Sequence, residues 1–369
     1  MSAATRPVIV ALSGGVDSAV AALCLLRAGH AVEALHMTNW DDADEYCTAA
    51  ADFADAKQVA ADLGIPLHHV NFAREYREQV FADFLAEYRA GRTPNPDVAC
   101  NRHIKFGAFL HHAQRLGAEY IATGHYARVT HQGDQGRLYK AADADKDQTY
   151  FLHSVKSEAL ARTLFPLGGL KKNEIRAMAR EYGLANHARA DSTGICFIGE
   201  RPFREFLAQY IVAEPGPIMT LDGQTIGEHS GLTYYTLGQR HGLNIGGQAD
   251  REQAAWFVAG RDQERNTLIV VQGHDHPALL SRGLSVGDLH WINGAPVELL
   301  TTGRVHLDVR LRHRQAAVSC EVRHTGQGDV LQLDFPVPQR AATPGQYAVF
   351  YAGEQCLGGG VILATRSAA

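Results

Sequence analysis

Cysteine is scarce: six occur in 369 residues, at positions 24, 47, 100, 196, 320 and 356, and no two lie three apart. That removes the Cys-x-x-Cys pair that a zinc site, an iron–sulfur cluster or a thioredoxin-like couple would want. The segment ahead of the first apolar run, Met1 to Pro7, is too short for a secretory signal, so a disulfide framework is not expected and the sequence reads as cytoplasmic. Long apolar runs are also missing. The most apolar early stretch, Ala19 to Met37, is broken by Arg27, Gly29, His30 and Glu33, and no membrane span is expected. Positive charge is short: 35 Lys and Arg against 40 Asp and Glu give −5, which excludes bulk basic attraction to nucleic acid but leaves room for a local basic patch. Lysine disappears from Arg201 onward, where all fourteen basic residues are arginine and sixteen residues are acidic.

What remains is a well-cored composition, 46% hydrophobic and 20% charged, in a length suited to roughly two to three domains. The first third alternates strand and helix patterns. Strands are expected at Pro7–Leu12, Ala31–Met37, Leu67–Asn71 and Tyr120–Thr123. Helices are expected over Asp17–Arg27, Thr48–Leu63, Arg74–Tyr88 and Ile104–Leu116, then Lys171–Tyr182 and Pro202–Tyr210. This alternation implies βαβ units in a parallel sheet, with ligands beyond the carboxyl ends of the strands. Gly91 to Asp97, with prolines at 94 and 96, reads as a stiff loop that delivers Asp97 and Cys100. After about Pro215, glycine turns punctuate short β-branched runs, as in one or two small antiparallel barrels or sandwiches. No repeat of fixed period is present. The fold class is expected to be α/β, with a parallel-sheet domain over 1–200, a small β-rich domain over 201–277 and a barrel-like β domain over 278–369.

Ser13-Gly14-Gly15-Val16-Asp17-Ser18 sits between a strand and a helix. Glycines let the backbone approach a phosphate, and the amides and hydroxyls at a helix start suit an anion. The loop lacks the spacing and the lysine of a Walker A motif, and it is not the Gly-x-Gly-x-x-Gly of dinucleotide folds. It resembles the PP-loop of N-type ATP pyrophosphatases, which release pyrophosphate and leave AMP on a substrate oxygen. An ordinary glycine turn capped by Asp17 or Ser18 is the plainer alternative.

Two cysteines stand apart from the rest. Cys100 follows Asp97 by three residues, and Cys196 lies in the glycine-flanked loop Asp191–Gly199. Either alone is more often a small buried hydrophobe than a nucleophile. Their turn-rich surroundings and the nearby Asp97 favour chemistry. Cys24, Cys47, Cys320 and Cys356 read as structural. Arg310, Arg312 and Arg314 alternate and would share one face of a strand, which is either a solvated face or a basic patch. His274-Asp275-His276 precedes a proline and has no third ligand, so it reads as a turn.

Several longer motifs carry a family resemblance: the PP-loop, Gly91–Arg102, Ala122–Tyr126, Asp145–Phe151, Asp191–Gly199, Tyr235–Gly242 and Thr343–Tyr351. Together they extend over nearly the whole chain, which is similar to the bacterial tRNA-specific 2-thiouridylases. The resemblance implies ATP-dependent replacement of the C2 oxygen of the wobble uridine by sulfur, giving 2-thiouridine, AMP and pyrophosphate. It implies that Cys196 carries a persulfide, that Cys100 is the second catalytic thiol and closes a transient Cys100–Cys196 disulfide, and that Asp97 is the general acid/base. ATP is then expected at Ala11, Leu12, Ser13, Gly14, Gly15, Val16, Asp17 and Ser18, with Met37 at adenine and Gly124 in the same pocket. Magnesium would accompany ATP, with Asp17 as its candidate ligand, and no other metal is expected. Expected tRNA contacts are Asn95, Pro96, Asp97, His125, Lys146, Asp147, Gln148, Arg312, His313 and Gln346. Partners are the anticodon arms of lysine, glutamate and glutamine tRNAs and a sulfur-relay protein or cysteine desulfurase.

Three rival readings compete. An amidating or ligating ATP pyrophosphatase would leave the paired loop cysteines without purpose. An iron–sulfur thiolase would want Cys-x-x-Cys. A nucleotide-sensing RNA-binding protein without turnover would not need the three loops at 13–18, 97–100 and 191–196.

Overall fold

A computed structural model describes residues 7–40, 49–189, 203–245, 254–326 and 328–367. Cys47, Cys196 and the loop Asp191–Gly199 lie outside the described residues. The first layer is a parallel sheet of β1 (Pro7–Ala11), β2 (Ala31–Thr38), β3 (Leu67–Asn71), β4 (Tyr120–Ala122) and β7 (Thr163–Leu164), in the order β3-β2-β1-β4-β7. β1 is central because Val8, Ile9 and Val10 are all buried, an unbroken β-branched run that suits a strand covered on both faces. Helices α1 (Val16–Arg27) and α2 (Ala49–Leu63) cross back from β1 and β2. The loops after β1, β2 and β4 therefore meet at one edge of the sheet, where open α/β sheets bind ligands.

The stiff loop expected at Gly91–Asp97 ends sooner than the prolines suggest. A helix starts at Pro96 and covers Pro96–Ala99, passes through a π-helical stretch at Cys100–Ala108 and continues as Phe109–Arg115. Pro96 occupies the first helical position, where its missing N–H has no intrahelical partner to lose. Asp97 is thus in a first helical turn, and Cys100 sits where the helix widens.

Beyond residue 215 the described residues are β-rich, as expected, with a short α-helix at Val297–Thr302. β8 (Gly216–Thr220), β9 (Thr225–His229), β10 (Trp256–Asp262) and β11 (Thr267–Gln272) form a four-stranded sheet in the order β10-β11-β8-β9. Its own core is built on Ile218, Tyr235, Val258, Leu268 and Val270. The last unit comprises β12 (Leu280–Trp291), β13 (Arg304–Arg310), β14 (Val318–His324), β15 (Leu331–Arg340), β16 (Tyr347–Ala352) and β17 (Gln355–Ser367). The order β12-β15-β14-β13-β16-β17, with β17 pairing back to β12, closes a six-stranded barrel. Closure depends on β17 bending past β12. A Cβ on Gly358, which has φ +139°, would lie 2.0 Å from the His290 carbonyl oxygen, so that crossing accepts only glycine.

One feature departs from the expected separation into domains. β5 (Arg128–Gln132) and β6 (Gln135–Tyr139) form a hairpin that leaves the parallel-sheet region, and β6 pairs with the start of β17 at Leu138–Cys356 and Tyr139–Gln355. Behind this shared edge, Asp147, with 1% of its side chain exposed, forms an ion pair with Arg310 at the end of β13. The same carboxylate accepts from the Ala141 amide at 3.0 Å and from the Thr149 hydroxyl at 2.8 Å. The Arg310 guanidinium also lies 5.1 Å from the centre of the Tyr351 ring. Removing one partner of such a pair strands a buried charge, at a cost of about 3–5 kcal/mol. Arg310→Met is therefore expected to lower the unfolding free energy by that much, with a matching fall in the denaturant midpoint. The double variant Asp147→Asn, Arg310→Met should recover a large part of the loss in equilibrium unfolding, and strictly additive losses would show that the pair is not what joins the two regions.

Candidate active site

The loop at 13–18 is built to leave donors unclaimed by its own helix. α1 begins after Gly15 with no side-chain cap, so its first amides have no partner within the helix. The Ser13 amide donates to Ser18 Oγ at 3.2 Å, Ser18 Oγ donates to the Gly15 carbonyl at 3.0 Å, and the Gly15 amide reaches Ser13 Oγ at 3.4 Å. Gly14 adopts φ +84°, and a Cβ there would meet the Asp52 carbonyl oxygen at 2.8 Å. Gly124, at the end of β4, closes the other side: its Cβ would fall 2.8 Å from Ser18 N. Both glycines are spaces that a side chain would fill. Ala11 and Leu12 lead into the loop, Val16 is buried behind it, and Met37 near the end of β2 is partly buried against the core. The structure thus gathers Ala11–Ser18 and Gly124 at one strand edge, with Met37 on the neighbouring strand.

Asp17 was the candidate magnesium ligand, and the structure engages its carboxylate otherwise. Lys172 Nζ donates to both of its oxygens, at 2.8 and 2.9 Å, and Tyr126 Oη donates to one of them at 2.8 Å. Among the described residues, no group of three or more His, Cys, Asp or Glu is arranged to hold a metal ion. The Asp17 carboxylate is thus committed to Lys172 and Tyr126 and does not stand open as the expected magnesium ligand. His274 and Asp275 form their own contact at 2.7 Å while His276 accepts from Ala278 N, as a turn requires.

The second group of residues surrounds the start of the helix at Pro96. Cys100 is buried with 1% exposure. The carboxyl of Asp97 is raised above its ordinary range, chiefly by burial, with Lys105 pulling the other way. Lys105 lies five residues after Cys100, one hydrogen-bonded turn along the π-helix, and its charge also helps keep His125 neutral, although burial is the larger cause there. No motif pointed to Lys105 in the sequence; only the i→i+5 geometry brings it onto this face. His125 Nδ1 is 2.8 Å from the Thr123 hydroxyl, and its ring packs against Phe106 and Phe165, with centroids 5.8 and 6.2 Å away. By contrast, burial drives the thiols of Cys320 and Cys356 up to about 12, which suits the structural role assigned to both.

The expected RNA-contact residues divide into two sets. Gln346 Nε2 donates to the carbonyls of Thr93 and Pro94 at 2.8 and 3.2 Å, which places it beside Asn95, Pro96 and Asp97. Gln148 exchanges two backbone-directed hydrogen bonds with Tyr126, both 2.9 Å, and so adjoins His125. His313 Nε2 lies 2.9 Å from the Asp147 carbonyl, and its ring is 4.4 Å from that of Phe151. Asp147, expected at the RNA, instead has its carboxylate sealed inside with Arg310. The expected arginine stripe is not formed either. β13 ends at Arg310, which turns inward, while Arg312 donates to the Leu237 and Ala341 carbonyls at 3.0 and 2.8 Å, so the triplet does not share one face.

Because burial raises the Asp97 pKa, the folded state holds that proton above the pH at which the unfolded chain releases it. Stability from this group is present below the ordinary carboxyl pKa and lost as pH rises through the raised value. Asp97→Asn removes the loss. The stability of the variant relative to wild type should grow as pH rises from about 4 toward neutrality, measured by denaturant unfolding across pH; a difference independent of pH would contradict the burial of an ionisable carboxyl here.

A family model described as "tRNA methyl transferase HUP domain" matches residues 6–200, one described as "tRNA methyl transferase PRC-barrel domain" matches 204–272, and an "Aminomethyltransferase beta-barrel domain" matches 281–362. A protein named tRNA-specific 2-thiouridylase MnmA from Methylococcus capsulatus is 56% identical over 360 residues, covering 96% of this chain and 95% of that one. Proteins of the same name from Nitrosomonas eutropha and Escherichia coli O1:K1 are 54% and 53% identical, over 96% and 98% of this chain and 98% of each relative. Although two of the models keep a methyl-transfer description, identity at this level over nearly full length decides the assignment: the chain belongs to the tRNA-specific 2-thiouridylase family.

Proposed function

We propose that this protein is a tRNA sulfurtransferase that makes 2-thiouridine at the wobble position, with ATP consumed to AMP and pyrophosphate. Sulfur cannot displace the C2 oxygen of uridine directly, because oxide is a poor leaving group. ATP supplies the adenylyl group that turns that oxygen into a leaving phosphate ester. In this reading Ala11–Ser18 and Gly124 hold the triphosphate through backbone donors, and Met37 lies against adenine. Asn95, Pro96 and Asp97 receive the unstacked uridine, as single-stranded bases are read after leaving the stack. Asp97 moves the proton released from the base, and Gln346 fixes the loop that presents it. Lys146, Gln148, His125, Arg312 and His313 line the approach of the anticodon arm. Of these, Arg312 and His313 arrive already tied to carbonyls, which limits their reach and raises their orientation.

Sulfur delivery is proposed through Cys196 as a persulfide. An ordinary thiol, with pKa about 8.5, is only a minor fraction thiolate at neutral pH. The terminal sulfur bonds to C2 as the C2–O bond to AMP breaks, and Cys100 as thiolate attacks the inner sulfur, leaving a Cys100–Cys196 disulfide for a cellular thiol to reduce. Lysine, glutamate and glutamine tRNAs are the proposed substrates, a sulfur-relay protein or desulfurase the donor, and the cytoplasm the site of action. No helix among the described residues is long and apolar enough to cross a membrane. The three units are read as 1–200 for chemistry, 201–277 as a central small β-rich domain and 278–369 for RNA contact.

The observation that carries this reading is the hydrogen-bonded run Asp17–Tyr126–Gln148, which joins the phosphate loop to the segment beside His125 and His313. It supports a common frame for the residues proposed to meet the nucleotide and the base. Purified protein with tRNA, ATP and a persulfide source should form 2-thiouridine. Cys100→Ser should abolish it while AMP and pyrophosphate still form with tRNA present. Asp97→Asn should slow thiolation by about 10²–10⁴-fold, the usual worth of a general acid/base. Normal thiolation by Cys100→Ser would defeat the proposed sulfur route, and AMP formation driven by ammonia in place of tRNA would favour the amidating alternative.

A further inference from the structure

The helix that carries Asp97 and Cys100 also carries a polar side chain with no part in the sulfur route. Asn101 is buried, with 2% exposure, beside Cys100. Its Nδ2 donates to the Phe151 carbonyl at 3.2 Å. Its Oδ1 is shut away from solvent and has no hydrogen-bond partner among the described residues. Buried acceptors are rarely left in this state, because the water they have lost is not replaced. An orphaned carbonyl next to a reactive thiol suits a donor that arrives with a substrate.

Two features aim it. Asp97, Asn101 and Lys105 follow one another at intervals of four residues, which places them along one face of the helix. Lys105 opposes the upward pull of burial on the Asp97 carboxyl, so the two ends of this row sense each other across Asn101. The Phe151 carbonyl then decides which end of the amide is left over. It takes the NH2 group, and the end on offer is an oxygen that can only accept. Turning the amide over would set that oxygen against the Phe151 carbonyl. Phe151 is itself seated by His313, whose ring lies 4.4 Å from its own.

We propose that Asn101 selects the target base: its Oδ1 accepts the N3–H of uracil. This role rests on the reading of Asp97 and Cys100 as the base site, and it supplies the group that tells uracil from cytosine there. N3 adjoins C2, the atom that exchanges oxygen for sulfur, so its reader belongs beside the thiol. Uracil carries a hydrogen at N3 and cytosine a lone pair. Cytosine would bring two acceptors together and leave both unpaired, which is how a polar site rejects a close analogue most strongly. The contact is made before chemistry. On adenylation the N3–H pair becomes the C2=N3 double bond, the carbonyl π pair bonds O2 to the α-phosphorus, and pyrophosphate leaves with the old P–O pair. Asp97, one turn away, takes the proton.

Full-length protein and ATP are given lysine tRNAs that differ only at position 34, uridine or cytidine, and kcat/KM for AMP formation is measured. Wild-type protein should favour uridine strongly. Asn101→Ala should shrink the uridine-to-cytidine ratio by roughly 10–100-fold, the range spanned by one buried hydrogen bond, chiefly through loss on uridine. Loss of the tie to Phe151 alone would slow both substrates alike, so an unchanged ratio overturns the proposal. The ratio is independent of how much of the variant is folded. If the variant turns over neither tRNA, wild-type protein decides the matter. A tRNA with N3-methyluridine at position 34 should compete with the uridine tRNA no better than the cytidine tRNA does, and competition equal to that of uridine overturns the proposal. Wild-type protein that forms no AMP with the uridine tRNA would instead overturn the base-site reading on which this role rests.

Discussion

The buried pairing of Asp147 with Arg310 is the constraint on which the rest of the architecture depends. A carboxylate this enclosed is tolerated only when paired and hydrogen-bonded, and its partner comes from the far barrel. Asp147 also receives the Ala141 amide and the Thr149 hydroxyl, and its carbonyl meets His313. The next residue, Gln148, is tied to Tyr126, which in turn touches Asp17 in the phosphate loop. The β6–β17 pairing runs alongside, so the same region is joined by a sheet edge and by a polar network. Shifting the barrel against the parallel sheet would break both together. The geometry between phosphate loop and base-side residues is therefore set by this junction more than by either domain alone.

This frame separates two chemistries. At one end lie backbone donors, glycine clearances and the Asp17–Lys172–Tyr126 cluster, which suit a polyanion. At the other end lie Asp97, with its carboxyl raised by burial, and Cys100, enclosed beside it with Lys105 one π-turn further on. Burial of Cys100 means that a base or a partner thiol reaches it only as the neighbouring residues give way. Cys320 and Cys356 are buried as well, but within barrel strands whose surroundings raise their thiols far above neutrality and leave them inert.

Much of this was legible in the sequence because it is local. The β-branched run 7–11 and the glycines of 13–15 announce a strand and a phosphate loop within a dozen residues, and the glycine-punctuated second half reads as β. What the sequence hides is non-local or depends on an exception to a local rule. Two prolines argued against helix at 94–97, yet Pro96 begins one, because the first helical position is where proline costs nothing. The hairpin 128–139 reads as part of the parallel-sheet domain, and nothing in its own residues shows that its partner strand lies more than two hundred positions later. The alternating arginines at 310, 312 and 314 suggested a single face, but the strand stops at Arg310 and an aspartate 163 residues earlier turns that side chain inward. Lys105 and Lys172 carried no motif, since a charge earns its meaning from what it faces.

The central claim is that a phosphate loop and an acid–thiol pair, held on one frame, put sulfur onto a wobble uridine. The most direct measurement is mass analysis of wobble nucleosides in tRNA from cells with and without this gene product. The account predicts 2-thiouridine derivatives when the gene is present and their unthiolated counterparts when it is deleted, with restoration by the wild-type chain. Unchanged wobble thiolation after deletion, with no second protein able to supply it, would contradict the account.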